Sequence, residues 1–520
     1  MALFLYLLLG AEVTTWLTVI LPTAFVVYWG LWVVYARTLH PLAKIPGPFW
    51  PSVSRTWLMY RALAGDLEIH QRALHKQYGP LVRVAPDEVV CDDPREIPIV
   101  YPITRPLEKT AWYDAWRPAG MHSRPDMFTN RSEKDHAAYQ RTLGHVYSLT
   151  NVLKSEPMLD ETRSLLLQRL DEFADRNEAF DFGLWLEMFC YDNIGVVFFG
   201  KQFGFLRDSV DYGGYITAVH QALPFLHILA SAPAYIRPFL MGGAVLIPKL
   251  LKAVLAVDGI KRTAERETYE AQARTEEATT KRVDMTSAML GIMREKGEKN
   301  NFGLREIVSE NWTAVMAGSD STAIGLRSIF YFMMKNPETL TKARAEVDAA
   351  FANGTLTSPV QYNQTVKLPY LGAVVKEAFR LYGPFAAPLQ RCTPQPEGVV
   401  LAGTHIPGGW RVGLNPAVVQ HHKDVFGEDA ASFRPERWLD RSAVEAKLMQ
   451  KCMMHFGAGT RTCTGQHVAM TEINKIVPEI LRRFEFKMSH DGEWKTQNAA
   501  FNFQTGVTCY FKKRELPSEF

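Results

Sequence analysis

The sequence predicts a mainly helical protein with a small share of β structure, preceded by one membrane-spanning helix. An uncharged apolar run near the N-terminus, long helical patterns in the middle of the chain and short β-like runs around them support this prediction. The chain has 520 residues, of which 47% are hydrophobic and 22% charged, as in ordinary globular proteins. Its net charge is only +3, which argues against nucleic acid as the main partner. Six scattered cysteines are too few for a disulfide framework.

The first 36 residues are predicted to form a membrane anchor. The run Val13–Ala36 carries no charge and would span about 36 Å as a helix, against roughly 30 Å for a bilayer's hydrocarbon core. No basic residue precedes this run, which disfavours a cleaved signal peptide, and a buried core helix is the remaining alternative. Arg37 and Lys44 follow the run, so the positive-inside rule places the rest of the chain in the cytosol.

Three prolines follow the anchor, at Pro41, Pro46 and Pro48. Because proline fixes φ and removes an amide donor, residues 37–48 are predicted to be a stiff, non-helical connector. Residues 49–520 show no second linker and no internal repeat, so they are predicted to form one body. Short β-like runs in this body are Leu81–Ala85, Val89–Cys91, Val399–Leu401, Arg411–Leu414, Phe484–Met488 and Val507–Phe511.

One helical pattern, Leu304–Met334, is long, free of proline and apolar through most of its centre. A helix that is apolar all round lies inside a large protein. Its segment Ala317–Thr322 combines small residues with one acid, Asp320, and three hydroxyl groups. Small residues would let a flat ligand approach the backbone, whereas the alternative is a notch for helix packing with a water-satisfied aspartate.

The segment Phe456–Gly465 presents one cysteine, Cys463, directly before another helical pattern. Free amide groups and the dipole at a helix start favour a thiolate there. Arg461 can pair with an anion, and Phe456 can cover one side of the site. This arrangement is how a protein presents a single axial thiolate to a haem iron, with an arginine on a haem carboxylate.

A zinc site is the rival interpretation of the same region. Cys452 and His455, followed by Cys463 and His467, have zinc-like spacing. Zinc would leave the glycines and the arginine of the Phe456–Gly465 segment unexplained, so this alternative is the weaker one.

A third cluster combines an acid with two arginines. Glu377 and Arg380 are three residues apart, which places both on one helix face among apolar neighbours. A buried pair of this kind requires further hydrogen bonds. Arg437, in the segment Phe433–Trp438, is the candidate third member.

The three clusters, in this chain order, resemble the signatures of the cytochrome P450 family. The segment from Phe456 through Gly459, Arg461 and Cys463 to Gly465 matches that family's haem loop in full. The anchor and the proline-rich segment resemble the microsomal class, and the chain as a whole resembles filamentous-fungal enzymes of the pisatin-demethylase-like group.

The resemblance implies a cytochrome P450 fold, mainly α with a small β-rich lobe, that carries haem b. It implies an oxidoreductase that inserts one oxygen atom from O₂ into a lipophilic small molecule, such as a secondary metabolite. Electrons would come from NADPH through a membrane-bound NADPH–cytochrome P450 reductase. The protein would be anchored in the endoplasmic reticulum membrane, with its catalytic domain, residues 49–520, in the cytosol.

The resemblance also assigns roles to residues. Cys463 would be the axial ligand of the iron, Arg461 and Arg391 would contact haem propionates, and Asp320, Ser321 and Thr322 would form the proton-relay motif. Glu377, Arg380 and Arg437 would form the structural triad. Residues expected in the substrate pocket are Trp112, Ala317, Phe385, Phe501 and Phe503.

The sequence departs from the family pattern in two places. Ser321 stands where the family usually has threonine, which keeps the hydroxyl but loses the methyl group that fixes its rotamer. The family's Trp-x-x-x-Arg haem contact appears as His136 and Gln140, so either His136 or Arg141 is expected to take over the propionate contact.

Two other functions stay open from the sequence. Some family members catalyse isomerisation or dehydration without inserting oxygen, and these often lack the acid–alcohol pair that Asp320 and Ser321 supply here. A membrane-tethered haem sensor is the non-enzymatic alternative, and nothing in the sequence supports it.

Overall fold

The computed structural model describes residues 12–117, 124–277 and 284–515. Helices dominate this part of the chain, as predicted. In chain order, the α-helices are α1 (Val13–Thr38, with a π-helical stretch at Trp16–Ile20), α2 (Phe49–Val53), α3 (Thr56–Ala64), α4 (Leu67–Tyr78), α5 (Ile97–Val100), α6 (Glu133–Leu143), α7 (Leu149–Val152), α8 (Glu156–Arg176), α9 (Phe182–Phe199), α10 (Phe205–Asp208), α11 (Tyr215–Ser231), α12 (Arg237–Ala244), α13 (Pro248–Glu277), α14 (Met285–Asn300), α15 (Leu304–Lys335), α16 (Pro337–Ala352), α17 (Tyr362–Thr365), α18 (Pro369–Leu381), α19 (Pro416–Val419), α20 (Lys423–Phe426), α21 (Ala443–Lys451) and α22 (Gln466–Arg483).

The β structure consists of short strands in small sheets. The strands are β1 (Leu81–Ala85), β2 (Glu88–Cys91), β3 (Phe180–Asp181), β4 (Arg391–Cys392), β5 (Val399–Leu401), β6 (Thr404–Ile406), β7 (Arg411–Leu414), β8 (Phe484–Met488), β9 (Lys495–Ala499), β10 (Phe501–Thr505) and β11 (Thr508–Lys513). The largest sheet has the order β1-β2-β7-β4, in which β2 and β7 are parallel and the other neighbours antiparallel. The parallel pair joins the N-terminal part of the body to its C-terminal part.

All six predicted strands are present within a few residues of their expected limits. Sequence reasoning missed the very short strands β3, β4 and β6, because two or three residues show no periodicity. It also missed β9 and β10, whose polar residues look like loop. Three of these polar residues, Asn498, Asn502 and Gln504, are buried, and their side-chain amides donate to carbonyl oxygens of distant segments. For example, Asn498 donates to the side chain of Glu68 and, at 2.8 Å, to the carbonyl oxygen of Ala386.

The predicted central helix is α15, which runs one residue beyond its expected end. Along it packs α9, a helix apolar enough and long enough to cross a membrane, yet 94% of its most apolar window is buried inside the protein. The side chain of Asp181 caps α9 by accepting the amide N–H of Leu184 at 3.0 Å. The core therefore lies around α9 and α15, and α9 is a core helix.

The N-terminal helix α1 has no buried residue in its most apolar window, which fits a membrane anchor. Its C-terminal end is nevertheless attached to the body. The indole of Trp32 donates to the carbonyl oxygen of Val53 at 2.8 Å, and Arg83 donates to that of Ala36 at 2.7 Å. The helix continues to Thr38, into the predicted connector, and Leu42 of that connector is fully buried.

Candidate active site

Cys463 lies in a turn just before α22, on the wall of an internal cavity of about 310 Å³. Its amide N–H donates to the carbonyl oxygen of Phe456 at 2.7 Å, which closes the loop between the two residues. Gly459 makes this loop possible, since its φ is +66° and an added Cβ would overlap the carbonyl oxygen of Tyr101. The loop thus holds the cysteine side chain toward the cavity.

The environment of the Cys463 thiol combines two opposing effects. Its side chain is exposed to the cavity, but the cavity lies deep in the protein, and burial raises the pKa of the thiol. Hydrogen bonds from the amides of Gly465 and Gln466 lower the same pKa, as the sequence led us to expect. A metal cation on the sulfur would deprotonate it outright.

The wall of the cavity is mostly apolar and includes several aromatic rings. Ala317, Phe385 and Phe501 line it as expected. Other apolar residues in the wall are Trp116, Phe128, Ile194, Phe198, Leu223, Leu226, Trp312 and Leu389. Such a surface suits a flat, hydrophobic molecule better than a hydrated polar one.

Two expected pocket residues lie behind the wall. Trp112 is 2% exposed and packs against Trp116, with ring centroids 5.0 Å apart, so Tyr113 and Trp116 reach the cavity in its place. Phe503 lies two residues beyond Phe501 in β10 and contacts the ring of His220 at 4.5 Å. Residues 118–123, a short distance beyond Trp116, lie outside the described part of the chain.

Four basic side chains line one part of the cavity: Lys109, His136, Arg391 and Arg461. Burial, followed by the charges of Arg391 and Arg461, lowers the pKa of Lys109 well below its usual value. Burial and the neighbouring cations likewise lower the pKa of His136 to about 3. Of these groups, Arg461 is paired with a carboxylate, that of Glu133, at 2.8 Å. The cluster therefore has room for further negative charge.

His136 and Arg141, the two candidates for the propionate contact, occupy different faces of α6. His136 is buried and lines the cavity, whereas Arg141 is exposed and borders a separate surface depression with His145. Five residues turn an α-helix by about 140° beyond a full rotation, so the two side chains cannot face the same side. The expectation for Arg141 is wrong.

The residues present fit haem b. A single cysteine sulfur faces the cavity, small and apolar residues of α15 and the Phe456 loop form its walls, and a basic cluster is available for two carboxylates. Buried cations require counter-charges, and the propionates of haem would supply them. Cys463 would hold the iron, and Arg391, Arg461, Lys109 and His136 would face the propionates.

The three α15 residues expected to relay protons lie on two faces of the helix. Ser321 and Thr322 line the cavity, and their hydroxyls donate to the carbonyl oxygens of Ala317 at 2.7 Å and Gly318 at 2.8 Å. Asp320 is fully buried and points away from the cavity wall. Tyr191 donates to its Oδ2 at 3.3 Å.

The triad is assembled as expected. Arg380 donates to both oxygens of Glu377 at 2.9 Å, and Arg437 donates to Oε1 at 2.8 Å. The indole of Trp438 adds a bond of 3.0 Å to Oε2. All three charged residues are fully buried, and carbonyl oxygens, together with the carboxylate of Asp429, accept from the remaining guanidinium donors. This satisfied network ties α18 to the segment that precedes the Cys463 loop.

The zinc alternative finds no geometric support in the described residues. Within them, the one group whose ligand atoms converge to within 4.8 Å is Glu187, His220 and Asp320. Cys452, with its partners in the predicted set, does not form such a group.

Sequence reasoning missed two polar residues of the cavity, Lys109 and Glu310. Glu310 accepts the amide of Met127 at 3.2 Å and the hydroxyl of Tyr147 at 3.3 Å. Burial, with the charge of Asp126 as the second cause, raises its pKa to about 8. The sequence feature that could have indicated Glu310 is its position as an acid beside the apolar centre of α15. Lys109 lies in an irregular segment, where no sequence pattern indicated it.

Comparison with known proteins agrees with this site. The sequence model of the cytochrome P450 family matches residues 46–508. The chain is 48% identical over 375 residues to cytochrome P450 monooxygenase ACRTS1 of Alternaria alternata, which covers 72% of this chain and 99% of that protein. It is 39% identical over 488 residues to cytochrome P450 monooxygenase gsfF of Penicillium aethiopicum, covering 93% and 96% of the two chains.

A third relative is pisatin demethylase of Fusarium vanettenii, 31% identical over 483 residues that cover 92% of this chain and 90% of the relative. The predicted resemblance to fungal enzymes of this group is thereby confirmed, as are the predicted fold and the class of enzyme. With its cysteine loop, its buried triad and a family match over most of its length, the chain belongs to the cytochrome P450 family and is a monooxygenase.

Proposed function

We propose that this protein, anchored in the endoplasmic reticulum membrane, inserts one oxygen atom from O₂ into a lipophilic secondary metabolite with electrons from NADPH. One observation carries this proposal: Cys463, the basic cluster and the α15 residues Ala317, Gly318 and Ser321 line the same mostly apolar cavity. Haem bound there supplies the activation of O₂. An NADPH–cytochrome P450 reductase would supply the electrons.

The chain's own residues bind the haem, orient the substrate and exclude water. When haem is bound, Cys463 would hold the iron through its sulfur, and Lys109, His136, Arg391 and Arg461 would face the propionates. Phe385 and Phe501, with Trp116 and Leu223, form apolar walls that position the substrate and keep bulk water out. The relatives' names, which include a demethylase that acts on pisatin, support a small organic substrate.

Ser321 and Asp320 would move protons. The Ser321 hydroxyl donates a hydrogen bond to the carbonyl oxygen of Ala317. The Ser321 oxygen can therefore accept a hydrogen bond from a proton donor or a water molecule in the cavity. Burial and the neighbouring Glu187 raise the pKa of Asp320 well above its usual value, which favours the protonated form of this carboxyl group. A buried acid beside a hydroxyl can serve as general acid during oxygen activation.

The first experiment is the carbon monoxide difference spectrum of the dithionite-reduced protein in membranes. We expect the strongly red-shifted Soret band of a haem-thiolate, and we expect Cys463→Ala to abolish it. Cys452→Ala is the matched control, because that cysteine is buried away from the cavity and should leave the band unchanged. A histidine-type band in the wild type, or loss of the band in Cys452→Ala alone, would contradict the proposal.

A further inference from the structure

Behind the cavity wall, Asp320 belongs to a buried polar cluster formed by three helices. His220 on α11 has its Nε2 2.7 Å from Oε1 of Glu187 on α9 and 3.8 Å from Oδ1 of Asp320 on α15. Arg327 contacts the other oxygen of Glu187 and donates to the carbonyl of Gly183. Oδ1 of Asp320 has no hydrogen-bond partner.

Exposure differs sharply within this cluster. Glu187 and Asp320 are at most 1% exposed, whereas the side chain of His220 is 32% exposed. Among these three side chains, His220 is therefore the one that reaches the surface. Its other contact is the ring of Phe503, at a centroid distance of 4.5 Å.

We propose that His220 and Glu187 form a proton-entry path that recharges Asp320 during turnover. This inference rests on the proposed relay role of Asp320. It assigns His220 as a positioning residue that supplies protons, because it acts through Asp320 and does not line the cavity.

The proton balance is simple. Asp320 gives the proton of its carboxyl group toward Ser321 and the cavity and becomes a carboxylate. His220 takes a proton from solvent at Nδ1 and becomes an imidazolium, and it then gives its Nε2 proton to the Asp320 carboxylate, either directly or by way of Oε1 of Glu187. His220 is then neutral again, and exchange of its remaining proton with solvent restores the starting tautomer. O–H and N–H bonds alone break and form, and no oxidant or further reactant is needed.

The charges around the cluster are consistent with a stored proton. Burial and Glu187 raise the pKa of Asp320, while Arg327 outweighs the burial of Glu187 and holds the pKa of that carboxyl below its usual range. The two acids, Glu187 and Asp320, are surrounded by three other titratable or charged groups, Tyr191, His220 and Arg327. Asp181 and Asp211 lie beyond these groups.

The same three residues also have the spacing of a metal site. Arg327, however, already pairs with Glu187 and places a positive charge where a cation would bind. The contacts therefore favour a shared proton over a metal ion.

The test is hydrogen–deuterium exchange of the Asp320 carboxyl group, followed by infrared spectroscopy on the haem-loaded protein in membranes. A protonated carboxyl band that is missing in Asp320→Asn identifies the group. We expect His220→Gln, which keeps a hydrogen-bonding amide but cannot titrate, to slow exchange of this band at least about tenfold. The turnover rate of His220→Gln should fall together with the exchange rate. The difference in turnover from the wild type should become smaller at lower pH, where protons are more available.

The matched control is His227→Gln, the same change seven residues later on α11. His227 packs near Trp116, with centroids 6.4 Å apart, and contacts no member of the cluster, so the exchange rate should not change. Equal carbon monoxide spectra would verify that all variants carry haem.

The outcomes separate the two proposals. The entry path is overturned if the Asp320 band exchanges in His220→Gln at the wild-type rate, or if no Asp320 band is found at all. Either result does so even if Asp320→Asn slows turnover. If exchange depends on His220 but Asp320→Asn leaves turnover unchanged, the relay role within the proposed function fails, and the inference falls with it. Stoichiometric metal that is lost in His220→Gln would replace the proton path with a metal site.

Discussion

Glu310 is an acid whose protonation is set by where α15 buries it. Its pKa of about 8 means that the folded protein keeps this proton to a higher pH than the unfolded chain does. The stabilisation that this bound proton gives to the folded state is complete below about pH 4.5, and it is lost as the pH rises through about 8. We therefore expect the free energy of unfolding to fall less steeply between pH 5 and 8 in Glu310→Gln. The difference should be at most about 1.4 kcal/mol per pH unit, measured by denaturant titration.

The control for this residue is Glu298→Gln, an exposed position on α14 that should leave the slope unchanged. Burial also raises the pKa of Glu472 to about 8, and that group stays in every variant. The relevant quantity is therefore the difference between slopes. Identical slopes in the wild type and Glu310→Gln would show that Glu310 is ionised throughout this range.

At the scale of elements, the contact between α15 and α18 depends on Gly325. An added Cβ would lie 2.5 Å from Cε1 of Phe379, whose ring packs against His455 at 5.1 Å. Alanine favours an isolated helix by about 1 kcal/mol, but overpacking a core costs about 1–3 kcal/mol. We expect Gly325→Ala to lower the free energy of unfolding by about 1 kcal/mol, measured by denaturant titration.

Gly291→Ala on α14 is the matched control, because an added Cβ there meets no atom within 4 Å. The helix propensity of alanine then acts alone, and the variant should be more stable by up to about 1 kcal/mol. If Gly325→Ala stabilised the protein as much as Gly291→Ala, the two helices would not be packed as closely as the structure shows.

At the scale of the whole molecule, the surface carries a second apolar region besides α1. Tyr235, Phe239, Leu246 and Leu255 are exposed around α12 and the start of α13, two helices that meet at 99°. Exposed apolar patches of this kind mark membrane or protein contacts. A chain that lacks residues 1–31 keeps the contacts of Trp32 and Ala36. We expect this shortened chain still to sediment with lipid vesicles.

Replacing Phe239 and Leu246 by aspartate in that shortened chain should release it to the supernatant. The control is Val444→Asp, a residue that is 80% exposed on α21. Release by the control, or retention of the double variant, would mean that the region around α12 does not contact the membrane.

Features encoded within a short stretch of chain were predictable from the sequence alone. The apolar length of α1, the central helix α15 and the Cys463 loop depend on hydropathy, helix periodicity and glycine backbone freedom, which act between near neighbours. The pair Glu377 and Arg380 was visible for the same reason. Together these features determined the fold class and the family, and they predicted Cys463 as the haem ligand.

Tertiary structure alone decided which distant groups meet. Lys109, His136, Arg391 and Arg461 come from four separate segments, and helix rotation brings His136 rather than Arg141 to the cavity. Likewise, the motif around Asp320 did not show that its acid faces Glu187 and His220 instead of the cavity. The physical reason is that side-chain burial and charge pairing depend on packing between elements, which local sequence patterns do not record.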